Sequence, residues 1–363
     1  MALDSSVYGS VGTPRIFIDY VQFCKATNVP ISYYQSAGEY SEFQMSGDFK
    51  EAWNMNPAKT TYSDSALGAD QSYYYTRWGI EIAKNVELPG IQKLLSSANY
   101  YAVLGHNFSD ATTNDTYINV LRQDGGYNTG DYLESAYAPD SVLYEGNGYR
   151  VKTVNPNISS SEGLEHNRGY VVILKSDGSD FPVLPEIGAI SVGRYLDMPN
   201  SPDLNLNVNY DYDGISRKRT IGGSDVVNVA YSSPPNWIGK YRPFTNSTES
   251  TTIGSNGRRS FELSFSYIAH DSVFPKNFND EFLFSSYSYS GDSELGNLFS
   301  VPKKENILAN FYTLTLGGTL EFLFQPDKTK DDFAICRLDK SSFTAKQVAH
   351  QTYDVSMTFV ETW

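Results

Sequence analysis

The four histidines are the first residues to test for chemistry, because imidazole serves as a general base and as a metal ligand. They stand at 106, 166, 270 and 350, and none lies at metal-ligand spacing from another histidine, a cysteine or an acidic cluster. No Gly-x-Ser-x-Gly nucleophile elbow is present, and Gly222-Gly223-Ser224 predicts a turn rather than a phosphate-binding loop. A carboxylate pair for glycoside cleavage stays open, because only three-dimensional geometry selects such a pair. The sequence predicts that the protein is not an enzyme.

Loops rich in Asp and Asn are the candidate places for a structural Ca²⁺, an ion that prefers oxygen ligands. The front-half candidates are Asp110, Asn114, Asp115, Asp124 and Asp131. Residues 209–214 (NYDYDG) approach the start of an EF-hand loop, but Thr220 stands where the bidentate Glu is needed. Solvated loops and a strand that runs into a turn are the favoured interpretation, so no cofactor is predicted.

Two basic clusters are candidate contacts between subunits, namely residues 217–219 (RKR) with Arg217 and Arg219, and the pair Arg258 and Arg259. The simpler interpretation is solvated strand ends. The functional interpretation is contact with an acidic face of a neighbouring subunit in a ring, where unlike surfaces meet. Trp363 is a further candidate for this interface.

Charge and cysteine content exclude several classes of protein. The formal net charge is −14, and residues 1–200 carry 13 basic against 23 acidic residues. Nucleic-acid binding needs a basic face, so the sequence predicts no nucleic-acid partner. Cys24 and Cys336 stand far apart and predict neither a disulfide framework nor a zinc site; Cys336 is expected to be a buried thiol. The absence of a signal-peptide pattern and of a long apolar run predicts cytoplasmic synthesis and no membrane partner.

Short alternating runs predict a mainly β protein. Leu204 to Tyr212, Phe261 to Tyr267 and Tyr353 to Phe359 each alternate apolar with polar residues, which is typical of strands with one buried face. Further strands are predicted at 15–20, 73–75, 99–104, 117–121, 169–175, 187–193, 217–219, 320–325 and 333–338. One short helix is predicted at 303–311, before a turn at Gly317 and Gly318.

A change in charge and a turn (NSPD) near residue 200 predict two domains. Residues 1–200 would form an outward-facing domain, and residues 201–363 would form the assembly domain. Few elements can be predicted within residues 30–75, and the fold of 30–90 is left open.

Several phrases in this chain resemble structural proteins from the tails of bacteriophages, particularly marine tailed phages. They are 212–214 (YDG), 220–223 (TIGG), 257–267 (GRRSFELSFSY), 316–318 (LGG), 324–327 (FQPD), 333–337 (FAICR), 353–356 (YDVS) and 361–363 (ETW), and in the front half 104–107 (LGHN), 190–194 (ISVGR) and 198–199 (MP). The resemblance is dense from about residue 187 onward and patchy before it. Residues 104–107 further resemble a loop of galactose-binding-type jelly-roll domains attached to phage tail proteins.

The resemblance implies a virion structural protein of the tail or baseplate, built from two β-sandwich or jelly-roll-like domains. Its partners would be further copies of itself in a ring-like homo-oligomer and other tail proteins, and its location would be the virion tail. The alternative is a carbohydrate-binding adhesin that contacts a host surface glycan. In that alternative, His106 and Asn107 are the candidate ligand contacts, by analogy with the jelly-roll loop.

Overall fold

The computed structural model describes residues 12–37, 48–55, 61–62, 74–82, 98–105, 116–123, 130–132, 142–146, 149–153, 168–175, 186–203, 207–211, 215–229, 258–274, 307–339 and 342–362. Short strands dominate these residues, and three short α-helices and one 3₁₀ helix accompany them. The prediction of a mainly β protein is therefore confirmed.

The described residues contain twenty strands. They are β1 (Arg15–Asp19), β2 (Ile31–Ala37), β3 (Thr61–Tyr62), β4 (Tyr74–Ile82), β5 (Tyr100–Leu104), β6 (Thr116–Gln123), β7 (Gly130–Tyr132), β8 (Val142–Gly146), β9 (Tyr149–Thr153), β10 (Arg168–Lys175), β11 (Glu186–Ile187), β12 (Ala189–Asp197), β13 (Asn207–Asp211), β14 (Ile215–Arg219), β15 (Asp225–Val229), β16 (Arg258–Ala269), β17 (Phe322–Gln325), β18 (Ala334–Leu338), β19 (Thr344–Ala349) and β20 (Thr352–Glu361). The α-helices are α1 (Tyr20–Ala26), α2 (His270–Val273) and α3 (Ile307–Leu314), and the 3₁₀ helix is Asp48–Trp53.

An antiparallel sheet of eleven described strands forms the framework. Its order is β13-β16-β20-β18-β17-β1-β12-β5-β9-β8, and β19 pairs with the part of β20 that β18 leaves open. A second sheet has the order β2-β4-β10-β6-β7, and the pairs β3–β11 and β14–β15 stand apart from both.

The main sheet continues across residue 200. Strand β1 pairs with β12 on one side and with β17 on the other, in the registers Phe17 to Tyr195 and Phe17 to Leu323. The division into domains 1–200 and 201–363 stays a prediction, and the structure does not show two domains.

Apolar side chains cover both faces in the middle of the main sheet. Along β1, Ile16 and Ile18 belong to the larger core cluster, and Phe17 belongs to a second cluster. Alternate residues of a strand point to opposite faces, so the two clusters lie on opposite sides of the sheet. Helix α3 covers the larger cluster, where the Phe311 ring lies 5.1 Å from that of Phe322. Strands buried on both faces explain the nearly continuous apolar runs of β1, β5 and β17.

The alternating patterns predicted the back-half strands well. In β20, Val355, Met357 and Phe359 are buried, and Phe261, Leu263 and Phe265 are buried in β16. The predicted strand at 204–212 appears as β13, and residues 204–206 and 212 lie outside the described residues. The strands predicted in the front half appear as β1, β4, β5, β6, β10 and β12.

The expectation of a single short helix near the end was wrong, because α1 and α2 are also present. The sequence predicts a first strand that ends at Tyr20. In the structure, β1 ends one residue earlier at Asp19, and Asp19 caps α1. Its Oδ1 accepts hydrogen bonds from the backbone N–H groups of Val21 and Gln22, the usual action of an N-cap residue. The helix predicted at 303–311 appears as α3, which runs to Leu314, while residues 303–306 lie outside the described residues.

Candidate functional site

Three of the predicted site residues lie outside the described residues: His106, Asn107 and Trp363. Gly105, the residue directly after β5, has a φ of +68°, and residues 106–115 lie outside the described residues. Of the calcium candidates, Asp110, Asn114, Asp115 and Asp124 also lie outside. The glycan contact at His106 and Asn107 stays a prediction, and the remaining calcium candidate, Asp131, lies on β7.

Arg259 lies at the start of β16 and joins three segments of its own chain. Its backbone N–H and its Nε donate to Oε2 of Glu361 at 2.8 and 3.2 Å, and its Nη2 donates to Oε1 at 3.1 Å. Nη1 donates to Asp332 at 2.7 Å, and Nη2 also donates to the carbonyl of Phe333 at 2.6 Å. The guanidinium therefore has internal partners.

The electrostatics of this cluster follow from burial. Only 2% of the Glu361 side chain is exposed, so a carboxylate there needs a cation. Burial alone would lower the pKa of Arg259, but the charges of Glu361 and Asp332 raise it above its ordinary value. Neither acid stands near Arg259 in sequence, so the spacing of the residues carried no signal of this cluster.

A second ion cluster joins the front and back halves of the main sheet. Nε and Nη2 of Arg15 in β1 donate to the two carboxylate oxygens of Asp197 in β12 at 2.6 and 3.2 Å. Nζ of Lys328, in the turn after β17, donates to Asp197 at 3.3 Å. Burial would raise the pKa of Asp197, but Arg15 and Lys328 outweigh it and lower that pKa.

Asp19 is a buried acid that the sequence reasoning did not single out. Only 2% of the residue is exposed, and its Oδ2 has no hydrogen-bond partner among the described residues. Burial raises the pKa of Asp19 to about 6, although its backbone hydrogen bonds and nearby Lys25 act in the opposite direction. The N-cap pattern of an Asp before Tyr20–Ala26 was the signal that could have found it.

Arg217 and Arg219 lie on β14, in a hairpin that neither sheet includes. We call residues 215–229 the arm; its strands β14 and β15 pair only with each other among the described strands. Residues 218 to 225 are all exposed, and Arg219 stands opposite Asp225 in the register. Strand β14 of the arm carries Arg217, Lys218 and Arg219 in succession, whereas Arg258 and Arg259 lie on β16, where Arg258 pairs in register with Asp211 of β13.

The turn of the arm is an ordered structure that exposes one apolar side chain. The N–H of Gly223 donates to the carbonyl of Thr220 at 2.9 Å, and the N–H of Thr220 donates to the carbonyl of Ser224 at 2.8 Å. Gly223 has a φ of +85°, which a residue without a Cβ adopts at little cost. Ile221 lies inside this turn with a relative exposure of 110%.

Tyr267 is a second exposed residue that the sequence reasoning did not select. It lies in the β-bulge of β16 between Phe265 and Ile268, has a φ of +59°, and is 76% exposed. Its backbone N–H donates to Oδ1 of Asp354 at 3.2 Å. A positive φ is uncommon for a bulky residue, so the bulge holds this side chain outward at some cost in strain.

Both cysteines are buried, as predicted for Cys336. Within the described ranges, no group of three or more His, Cys, Asp or Glu side chains is arranged to hold a metal ion. None of the helices in those ranges has the length and apolar character that crossing a lipid bilayer requires.

The described residues therefore form a sheet with internal ion clusters and two exposed features, the arm and the bulge at Tyr267. Comparisons of this chain with protein-family models, with curated proteins and with solved structures find no match.

Proposed function

We propose that this protein is a structural component of the tail or baseplate of a tailed bacteriophage, and that it acts by assembling with copies of itself and docking to other tail proteins. The observation that carries the proposal is where the tail-protein phrases lie in the fold. The phrases 257–267, 353–356, 333–337 and 324–327 fall on or beside β16, β20, β18 and β17, which are consecutive neighbours in the main sheet. The phrase 190–194 lies within β12 of the same sheet.

Five of the resembling stretches thus lie on one packed framework, while 220–223 lies in the turn of the arm and 316–318 in the turn after α3. A framework with buried side chains on both faces suits a part that must keep its shape while it transmits load between neighbours. The finer architecture that the resemblance implies, two β-sandwich or jelly-roll-like domains, is part of this proposal.

The experiment that tests the proposal is a search for the chain in purified phage particles of its source. Mass spectrometry of intact virions should detect it in a copy number that matches a ring, and a cryo-electron microscopy map should show the main sheet in the tail. If the chain is absent from virions and joins no tail particle on reconstitution, the proposal fails.

A carbohydrate-binding adhesin remains the alternative. It rests on the loop at 104–107, whose described part is the left-handed Gly105 that ends β5. A glycan array with the full chain, together with His106→Ala and Asn107→Ala variants, tests it. Binding that these variants leave unchanged would count against that loop.

A further inference from the structure

The two most exposed large apolar side chains among the described residues are Ile221, at 110%, and Tyr267, at 76%. One lies in the arm and the other lies in the bulge of β16. Since both are open to solvent, they do not cover each other within one chain. Single exposed apolar residues are common and need no explanation on their own. Ile221 and Tyr267 differ from such residues in the charges that accompany each of them.

The arm is basic in a protein that is strongly acidic. Residues 215–229 contain Arg217, Lys218 and Arg219 against Asp225, a net charge of +2, whereas the whole chain has a net charge of −14. Lys218 and Arg219 are exposed beside the turn that carries Ile221. The arm therefore presents an apolar tip with cations directly next to it.

The surroundings of Tyr267 have the opposite charge. Oδ1 of Asp354 accepts the Tyr267 N–H, and Oδ2 of Asp203 accepts from Oγ of the preceding Ser266 at 2.8 Å. Lys346 of β19 stands opposite Asp354 in the register, so the surroundings of Tyr267 contain two carboxylates and one neighbouring cation. We call Asp203, Tyr267 and Asp354 the acceptor patch.

We propose that the arm of one subunit docks on the acceptor patch of a second copy of this chain, with Ile221 against Tyr267 and with Lys218 and Arg219 facing Asp203 and Asp354. The partner is another copy because the same chain supplies both the basic apolar tip and an acidic surface with an exposed aromatic ring. This inference rests on the proposed oligomeric role and names the residues through which two subunits would touch.

If two subunits share one such contact the interface is heterologous, whereas a reciprocal exchange of arms gives a closed two-fold dimer. Heterologous contacts produce closed rings when the rotation between subunits closes, and open filaments when it does not. The hydrogen-bonded turn supports such docking, because a pre-ordered element loses little conformational freedom on binding.

Cross-linking between two differently tagged full-length chains tests the geometry. One chain carries Ile221→Cys and the other carries Tyr267→Cys, and a short bifunctional maleimide joins thiols that lie close together. The native Cys24 and Cys336 are buried, so the introduced thiols are the accessible ones. We expect a cross-linked species that contains both tags. In the matched control, Val348→Cys, which replaces another exposed apolar residue, takes the place of Ile221→Cys.

Mass photometry of the unmodified chain and of two arm variants provides an independent readout. Ile221→Asp, and separately Lys218→Glu with Arg219→Glu, should raise the dissociation constant of the oligomer at least ~10-fold, because apolar burial or charge complementarity is lost. These positions are exposed, so circular dichroism should show unchanged folding.

Equal cross-linking by the Val348→Cys control would overturn the proposal, and so would oligomers that all arm variants leave intact. A chain that stays monomeric at micromolar concentration would overturn it as well. A monomeric chain would also count against self-assembly in the proposed function, whereas the cross-linking and arm-variant results leave that function open, because it depends on whether the chain is found in virions. A virion component with intact oligomers in the arm variants would therefore refute the arm contact alone.

Discussion

The backbone N–H and the guanidinium of Arg259 donate three hydrogen bonds to the carboxylate of Glu361, at 2.8, 3.2 and 3.1 Å. This pair joins the start of β16 to the end of β20, which are adjacent strands of the main sheet. The sequence predicts Arg259 as a candidate for contact with a neighbouring subunit. In the structure its charge is neutralised within the chain, whereas Lys218 and Arg219 of the arm are exposed.

Arg259→Met should destabilise the protein by about 3–5 kcal/mol, because Glu361 would remain buried without its cation. The double variant Arg259→Met with Glu361→Leu should lose less, since it removes both charges. Urea unfolding followed by fluorescence measures both. The matched control is Arg337→Ala, because the Arg337 side chain is 52% exposed and pairs with Glu321 at 2.8 Å, so its loss should cost about 0–1 kcal/mol. Equal losses for Arg259→Met and Arg337→Ala would contradict a structural role for the buried pair.

The buried Asp19 should give the stability of the protein a distinctive pH dependence. Its pKa is about 6 in the folded state against an ordinary value of 3.8, so the folded state binds this proton more tightly. Its contribution to stability is therefore fully present below about pH 4 and is lost as the pH rises through about 6. Asp19→Asn keeps an oxygen for the helix cap and removes the charge. We expect similar stabilities near pH 4, and a variant more stable by up to about 3 kcal/mol at pH 7.

Urea unfolding of both proteins between pH 4 and pH 7 measures this difference. Asp19→Ala is the control, because it removes the cap and should be less stable than Asp19→Asn at every pH. Parallel stability curves for the wild type and Asp19→Asn across this range would show that Asp19 does not titrate there.

Gly193→Ala should disrupt the centre of the main sheet. A Cβ at this position would lie 2.0 Å from the carbonyl oxygen of Ile18 on the paired strand β1. Unlike the end of a flexible side chain, this backbone oxygen cannot rotate away from the clash. We expect a loss of at least about 2 kcal/mol, or insoluble protein. Gly222→Ala is the matched control, since its Cβ would meet nothing closer than Oγ1 of Thr220 at 4.0 Å and should change stability by less than about 0.5 kcal/mol. Thermal melts compare the two.

The two native thiols should be unreactive in the folded protein. Cys24 and Cys336 are each 0% exposed, and burial raises the pKa of Cys24 to about 12. Burial also raises the pKa of Cys336 well above its ordinary value, and the nearby Glu361 adds to this effect. A colorimetric disulfide reagent at pH 8 should detect no thiol until urea is added, and then two per chain. Rapid labelling of either thiol in the native protein would contradict the described core.

Local patterns predicted single strands better than they predicted the pairs those strands form. The alternation of Tyr353, Val355, Met357 and Phe359 predicted β20, because one face of that strand packs on the core and the other does not. Strand β19 was not predicted, since it lies at an exposed position beside β20 and has no apolar alternation. Helix α1 was missed because it has only seven residues: Gln22, Lys25 and Ala26 do lie on one less buried face, but two turns are too short for a helical period to stand out.

The exposed features were harder to predict for a different reason. The basic run of the arm and its Gly-Gly turn were visible in the sequence, but a turn pattern does not say whether the hairpin joins a larger sheet. In the sequence, Tyr267 continues the alternation of Phe261, Leu263 and Phe265, which predicts a buried side chain. The bulge after Phe265 places Tyr267 outward. Bulges depend on how two strands pair, and this is information that neither strand carries alone.

The position of β1 between β12 and β17 has a consequence for synthesis in the cell. Strand β1 leaves the ribosome early. Its second edge can pair only after β17 has been synthesised, because Phe17 pairs with Leu323, about 300 residues later in the chain. At ~5–20 residues per second, translation needs roughly 15 to 60 s to supply that partner. Until then the apolar strand presents an open edge, the kind of surface that attaches to other unfinished chains. We therefore expect yield to depend on a chaperone that covers this edge, or on slow expression at low temperature.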